Sequence, residues 1–193
     1  MTRKALIMID YINDIIHPQG KIASCAQMLR EMKIVEKCNS ALHMARKHNY
    51  LIIWIKVGFS SAYHELSDNS PIFKSSKTLQ ALIQHTWGTE LIEGLNYENS
   101  ELVIFKNRIN PFYATNLELI LRTNQVEQIY LAGVATEWAV EAAARDAHDK
   151  DFIVSVIEDL CASHNTEAHN SSIKTMSRIA KIINSQELCQ NNP

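Results

Sequence analysis

The sequence lacks the features that mark a chain for a membrane, a nucleic acid or an oxidising compartment. A membrane helix needs roughly 20 consecutive apolar residues, and runs such as residues 51–55 fall far short. The formal net charge is only -2, and no run of Lys and Arg exceeds the pairs Arg3-Lys4 and Arg46-Lys47, so no basic field invites nucleic acid or anionic lipid. Arg3 and Lys4 ahead of residues 5–9 imitate the start of a signal peptide, but Asp10 ends the apolar run too early for one. A cytoplasmic location is the expectation. No two of the cysteines (Cys25, Cys38, Cys161, Cys189) form a C-x-x-C pair, and they read as buried apolar residues or reduced thiols rather than as a disulfide framework. There is no internal repeat, low-complexity tract or linker.

What is present is an ordinary globular composition, 193 residues with 46% apolar and 21% charged, enough for one domain with a sizeable core. Strand-like apolar runs alternate with helical spacing. Residues 4–9, 50–57, 101–105, 128–132, 152–157 and 179–183 read as strands, and continuous apolar runs of this kind suit a parallel sheet covered on both faces. Helices are predicted from an N-cap at Ser24 to about residue 45, over 78–84, over 116–122 capped by Thr115, over 136–149, over 166–177 capped by Thr166, and after Ser185. Residues 58–76 read as a polar loop. The small residues Ala139, Ala142, Ala143, Ala144 and Ala147 let their helix lie close to a sheet. The alternation predicts an α/β fold: a three-layer α/β/α sandwich, Rossmann-like, with a mostly parallel six-stranded sheet and right-handed crossovers.

Ligands of such sheets bind beyond the carboxyl ends of the strands, which directs attention to residues 10–14, 57–64, 106–113, 133–139 and 158–164. Asp10 ends the first strand, and a carboxylate there is costly unless paired. Lys106 ends the third. Residues 133–136, Gly-Val-Ala-Thr, end the fourth and open a helix whose first N–H groups suit a negative oxygen. An acid, an amine and an anion-stabilising turn converge on one rim.

Three segments carry a family resemblance. Asp10-Tyr11-Ile12-Asn13-Asp14 resembles the isochorismatase-like motif in which an Asp closes strand one and an Asn-Asp pair follows. Residues 106–115, KNRINPFYAT, are similar to that family's Lys-x-x-x-Ser-Ala-Phe segment. Residues 133–147, GVATEWAVEAAARDA, resemble its G-V-x-T-x-x-C-V-x-x-T-A-x-x-A stretch. The likeness runs from about residue 4 to 183 and implies a single isochorismatase-like (cysteine hydrolase) domain.

In that family an Asp, a Lys and a Cys act together. The resemblance carries the first two onto Asp10 and Lys106, and the third onto Ala139. A methyl group cannot attack a carbonyl, so the covalent route is closed. Ile12 stands where many members have Gln, and Asn110-Pro111 where Ser-Ala is common. The Asp-x-His metal site of nicotinamidases is replaced after strand two by residues 58–64, GFSSAYH, and His64 alone is no zinc site. No metal and no cofactor are expected. The resemblance further implies a cis peptide between Val134 and Ala135, an oxyanion turn at Val134, Ala135 and Thr136, and a homodimer or homotetramer. Phe112, Tyr113 and Trp138 are candidate pocket walls.

The function expected is hydrolysis of a small metabolite by a cysteine-independent Asp/Lys mechanism, such as ether or enol-ether cleavage, with Asp10 as acid and water as nucleophile. An inactive family member kept for ligand binding or assembly, and a Cys-to-Ala variant of a cysteine amidase, are the alternatives. Lys106 would lower the Asp10 pKa and burial would raise it. The sequence leaves that conflict open. Cys161 as a substitute nucleophile, with His164 as its base, is the weaker option, and hydrogen bonding in loops or caps is the expected work of His164 and His169.

Overall fold

β1 (Arg3–Ile9) sets the architecture: Leu6 and Met8 enter one layer of the core, Ala5, Ile7 and Ile9 the other, and all five are completely buried. A strand that buries both faces needs a helix layer on each side. On the first side lie α2 (Ala26–Glu31), α3 (Ile34–Lys47) and α8 (Ser185–Gln190); on the second, α5 (Leu117–Thr123), α6 (Glu141–Asp149) and α7 (Thr166–Met176). The computed structural model describes residues 3–190, and side chains to residue 188. The side chain of Cys189 therefore lies outside the described residues.

β1 is joined by β2 (Leu51–Val57), β3 (Leu102–Lys106), β4 (Val126–Gly133), β5 (Ile153–Ile157) and β6 (Lys181–Ile183) in the order β3-β2-β1-β4-β5-β6, every pair parallel. The chain winds outward from β1 to β3, then crosses to β4 and winds the other way. The order reverses between β1 and β4, and the crevice at such a switch point is where doubly wound sheets bind ligands. Asp10 and Gly133 sit directly at it.

Close contact between β1 and β4 depends on Gly133. It lies at φ +151, and a Cβ there would meet the Ile9 carbonyl oxygen at 2.4 Å and the Ile9 Cβ at 2.7 Å. In the same core layer as Ile9, Ala143, Ala144 and Ala147 are completely buried and bring α6 onto the sheet.

Several local expectations need correction. The helix expected from Ser24 is two helices, separated at Lys33 in the left-handed conformation (φ 51). Leu29, Ile34 and Leu42 still share one core cluster, so the apolar period continues through the break and hides it. Ser24 does not cap: α2 begins after Cys25, and no side chain caps it. The helix expected over 78–84 is α4 (Lys74–Leu79), ended by Gln80 at φ 50; Ala81 and Leu82 are buried loop residues instead. Residues 58–76 are less polar than expected, because Phe59, Tyr63 and Phe73 form a small core of their own. α7 is capped by Asn165, whose side chain accepts from the Ala168 N–H at 2.8 Å, not by Thr166. Asn116 holds the N-cap position of α5, while the Thr115 hydroxyl accepts from Leu117 N–H at 3.2 Å. Residues Thr136–Val140 form a wide π turn before α6 begins. The short helix α1 (Asn13–Ile16) was not foreseen.

Gly133→Ala is expected to destabilise the fold by about 1–3 kcal/mol through overpacking against Ile9, which lowers the thermal midpoint by roughly 2–12 °C in a domain of this size. Differential scanning calorimetry of the two proteins checks it.

Candidate active site

The site is built by three strand ends. Asp10 follows β1 with φ 57, a left-handed conformation that Asp tolerates better than most residues. Its Oδ1 accepts from the Val57 N–H of β2 at 2.7 Å, and its Oδ2 accepts from the Lys106 Nζ of β3 at 2.6 Å. The pair therefore spans β2, which lies between its two parent strands. Both side chains are almost wholly buried, 3% and 1% exposed. The Lys106 ammonium donates a second bond to the Arg108 carbonyl at 3.2 Å. Burial pushes the Asp10 carboxyl above its usual range and outweighs Lys106 and the Val57 N–H, which pull it down.

A cavity of about 360 Å³ opens over this pair. Its floor is Asp10, Lys106 and Val57; Val134, Ala135 and Ala139 form one side, and Trp138, half exposed, stands at the rim. The other walls are Ile15 of α1 and, from loops, Ile22 after α1, Ile72 and Phe73 before α4, Leu82 after it, and Ile109 after β3. A larger groove of about 1010 Å³ lies at the opposite end of the sheet. Its Arg46 is paired with Glu98 at 3.1 Å and Glu101 at 2.7 Å, and none of the strand-end residues reach it.

Asp10, Lys106, Ala139, Val134, Ala135 and Trp138 thus meet at one place. The Val134–Ala135 peptide is cis. Other expectations fail. The Val134 N–H donates to the Ile9 carbonyl at 3.1 Å and the Thr136 N–H to the Ala162 carbonyl at 2.9 Å, so neither is an open oxyanion donor. The Thr136 hydroxyl is buried against His169 Nδ1 at 2.9 Å, away from the cavity. Phe112 and Tyr113 are not pocket walls. Asn110 folds its turn back, accepting from the Phe112 N–H at 2.9 Å and donating to Asp146 of α6 at 2.5 Å. Phe112 is thereby buried against Phe152, and Tyr113 is 61% exposed.

Cys161 is no substitute nucleophile. It is completely buried, its thiol donates to the Ile157 carbonyl at 3.3 Å, and burial pushes its pKa up to about 12. Cys25 and Cys38 are likewise buried, free and pushed up to about 12. His164 contacts Glu137 at 3.0 Å rather than any thiol. His64 is exposed, and among the described residues no three His, Cys, Asp or Glu side chains are grouped to hold an ion. The residues after β2 therefore do not fit a zinc site.

The sequence also left the role of Asn13 and Asp14 unread. The buried Asp14 carboxylate accepts from the Leu82 N–H at 2.7 Å and the Lys21 N–H at 3.2 Å. Asn13 donates from Nδ2 to the Trp87 carbonyl at 2.8 Å. These two side chains fasten the loops that carry Ile22 and Leu82 into the cavity wall. Two polar residues set among Ile12, Ile15 and Ile16 were the available signal, since a buried polar pair needs partners.

Comparison with known proteins places this geometry in a family. The isochorismatase domain model matches residues 4–187, and the chain belongs to that family. It is similar to a "Probable inactive nicotinamidase" of Arabidopsis thaliana, 30% identical over 177 residues, covering 91% of this chain and 88% of the relative. It is also similar to a ureidoacrylate amidohydrolase of Klebsiella pneumoniae, 26% identical over 170 residues, covering 81% and 72%. Among solved structures, an isochorismatase family protein of Desulfovibrio vulgaris superposes with a TM-score of 0.86 at 20% identity, covering 98% of each chain. The pyrazinamidase of Pyrococcus horikoshii, solved in complex with zinc, gives 0.79 at 25% identity, covering 94% and 99%. Family members of this kind are hydrolases. Among the described residues no helix is long and apolar enough to cross a membrane.

Two predictions follow from the packing around the site. Asp14→Ala strands the buried Leu82 N–H and is expected to destabilise the protein by about 1–3 kcal/mol, whereas Asp14→Asn, which keeps one acceptor but sets its NH2 against the other backbone N–H, recovers only part of the loss; urea denaturation of the three proteins tests this. His169 is buried, and desolvation holds its pKa below 6.5 against the pull of Glu137. The unfolded chain then binds the proton more readily, so this contribution to stability is complete above pH 6.5 and lost as pH falls through the depressed folded value. Relative to the wild type, His169→Gln is expected to lose less thermal stability between pH 7.5 and the acid side of that window.

Proposed function

We propose that the chain is a hydrolase that works without a covalent nucleophile, with Asp10 as its proton donor, and that it cleaves an ether or enol ether in a small metabolite. The observation that carries this reading is the buried Asp10–Lys106 pair on the floor of the cavity beside the Ala139 methyl group. A general acid at neutral pH needs a carboxyl raised above its ordinary value, and burial acts on Asp10 in that direction.

In this reaction the Asp10 carboxyl gives its proton to the terminal carbon of the C=C–O group. The electron pair of the double bond forms the new C–H bond, and positive charge develops on the oxygen-bearing carbon and its oxygen. Water adds to that carbon and its extra proton returns to Asp10. The resulting hemiacetal collapses to a carbonyl compound and an alcohol. Lys106 fixes the carboxyl and balances its charge when the proton has left.

Asp10→Asn keeps the side-chain shape and removes the acid. It is expected to lower kcat for a hydrolysed enol ether by about 10²–10⁴-fold, followed by release of the carbonyl product. Ala139→Cys is the companion test: nicotinamide hydrolysis appearing only in that variant, with no enol-ether turnover by the unsubstituted chain, would overturn the reading in favour of an amidase scaffold. A second reading, ligand binding without turnover, draws on the similarity to the "Probable inactive nicotinamidase" of Arabidopsis; it requires thermal shifts with ligands and no product from any of them.

A further inference from the structure

We infer that the outer edge of β3 is a homodimer interface, at which two copies of this chain pair their β3 strands antiparallel about a two-fold axis at Ile104 and continue one sheet into the other. This concerns the sheet edge rather than the cavity and does not rest on the functional reading above.

β3 ends the strand order, with β2 on one side and, among the described residues, no strand on the other. The Gly58 N–H donates to the Lys106 carbonyl at 3.0 Å, which fixes the phase of the β2–β3 ladder. In a parallel strand the N–H and C=O of one residue point to the same side, and the side alternates along the chain. Leu102, Ile104 and Lys106 therefore bond to β2, while the N–H and C=O of Val103 and Phe105 point out of the sheet. Among the described residues nothing is hydrogen-bonded to these four groups. Such an edge is a template for another strand unless it is blunted by shortness, a charge, a proline or a bulge. The opposite edge is blunted: β6 has three residues and begins with the exposed Lys181. β3 has five residues, no proline and a continuous register, and its one charge, Lys106, is turned inward to Asp10.

The spacing of the open groups selects a second copy as the partner. Antiparallel strands exchange both backbone bonds between opposed residues at every second position. With the axis at Ile104, Val103 opposes the partner's Phe105, and Phe105 opposes the partner's Val103. One register thus satisfies all four outward groups of each copy, and the interface is isologous, as a two-fold axis requires. The side chains fit the same register. Val103 is 38% exposed and Leu102 37%, so the edge leaves hydrocarbon in water. The Val103–Phe105 contact, made twice, joins a β-branched and an aromatic side chain, a pairing that stabilises cross-strand neighbours. The Phe105 ring is already held in place, with His85 5.4 Å away in an edge contact and Lys56 Nζ 5.7 Å from its centroid, so little freedom is lost on pairing. The ends are complementary in charge. The register brings Arg108, beyond the carboxyl end of one β3, beside the amino end of the other, where Glu98 and Glu101 precede the strand.

The test is sedimentation equilibrium of the full chain across a concentration series. The unsubstituted chain is expected to be a dimer. Val103→Lys is expected to be a monomer, with self-association weakened by about a hundredfold, because pairing would then bury two ammonium groups without partners; far-UV circular dichroism reports whether it folds. A monomeric unsubstituted chain, or a folded Val103→Lys that remains a dimer, overturns the inference. Amide hydrogen exchange on the unsubstituted chain decides the matter even if that variant fails to fold. The outward N–H groups of Val103 and Phe105 are expected to exchange as slowly as that of Ile104 in the dimer, and about tenfold faster or more on dilution. Fast exchange at both at every concentration counts against the pairing. Ile104→Cys checks the register, since it sets two thiols across the axis at a Cα separation of about 4.5 Å, within disulfide reach. Under mild oxidation a disulfide-linked dimer is expected from that variant alone. Linkage equal to that of the unsubstituted chain, or none in a folded variant, sinks the two-fold register at Ile104.

Discussion

A buried carboxylate must be compensated, and much of the molecule is arranged to do that for Asp10. The residue leaves β1 in a left-handed turn and its two oxygens reach the Val57 N–H and the Lys106 ammonium. The strand order makes this possible. With β2 between β1 and β3, a side chain at the end of β1 meets the backbone of one neighbour and the extended side chain of the next. Removing either donor would leave a charge or a polar group stranded in a nearly dry site, which is why such a pair is more strongly coupled to the fold than an exposed one.

The same arrangement confines the chemistry. The crevice at the β1/β4 switch point is walled on the β4 side by Val134, Ala135 and Ala139, and the backbone donors of Val134 and Thr136 are spent on Ile9 and Ala162. The buried thiols of Cys25, Cys38 and Cys161 do not line the cavity and are held as thiols by desolvation. What remains able to exchange a proton with a ligand is the Asp10–Lys106 pair. The π turn Thr136–Val140 contributes shape rather than charge, presenting the Ala139 methyl and the Trp138 ring while Ser172 ties it to α7 through the Thr136 carbonyl. Wide turns of this type recur at functional sites, and here the turn serves to aim two side chains at one cavity.

The parallel sheet and its layers were legible because they follow from alternation of apolar runs, a signal spread over many residues. Asp10 and Lys106 were legible because both interrupt an apolar run at its carboxyl end. Local stops were not: Lys33 breaks a helix whose apolar period carries on regardless, and Gln80 ends α4 without a glycine. Phe112 and Tyr113 could not be placed by sequence because Asn110 folds their turn onto α6 through Asp146, a contact between residues 36 apart. The loop walls supplied by Ile22, Phe73 and Leu82 were hidden for the same reason, since Asp14 fixes the loops bearing Ile22 and Leu82 through backbone N–H groups that any residue carries.

The apolar walls and the buried acid are physically linked. Asp10 is already raised by desolvation, with the Lys106 ammonium and the Val57 N–H opposing it. On the proposed reading, an apolar ligand entering the cavity displaces the water above the pair and adds no dipole to stabilise the carboxylate. Loss of that solvent raises the carboxyl further, so occupancy itself makes Asp10 a better-protonated acid at the moment a proton is needed. A cationic ligand would oppose this, because its charge favours the carboxylate. The hydrocarbon of the walls and the burial of the floor therefore act on Asp10 in the same direction.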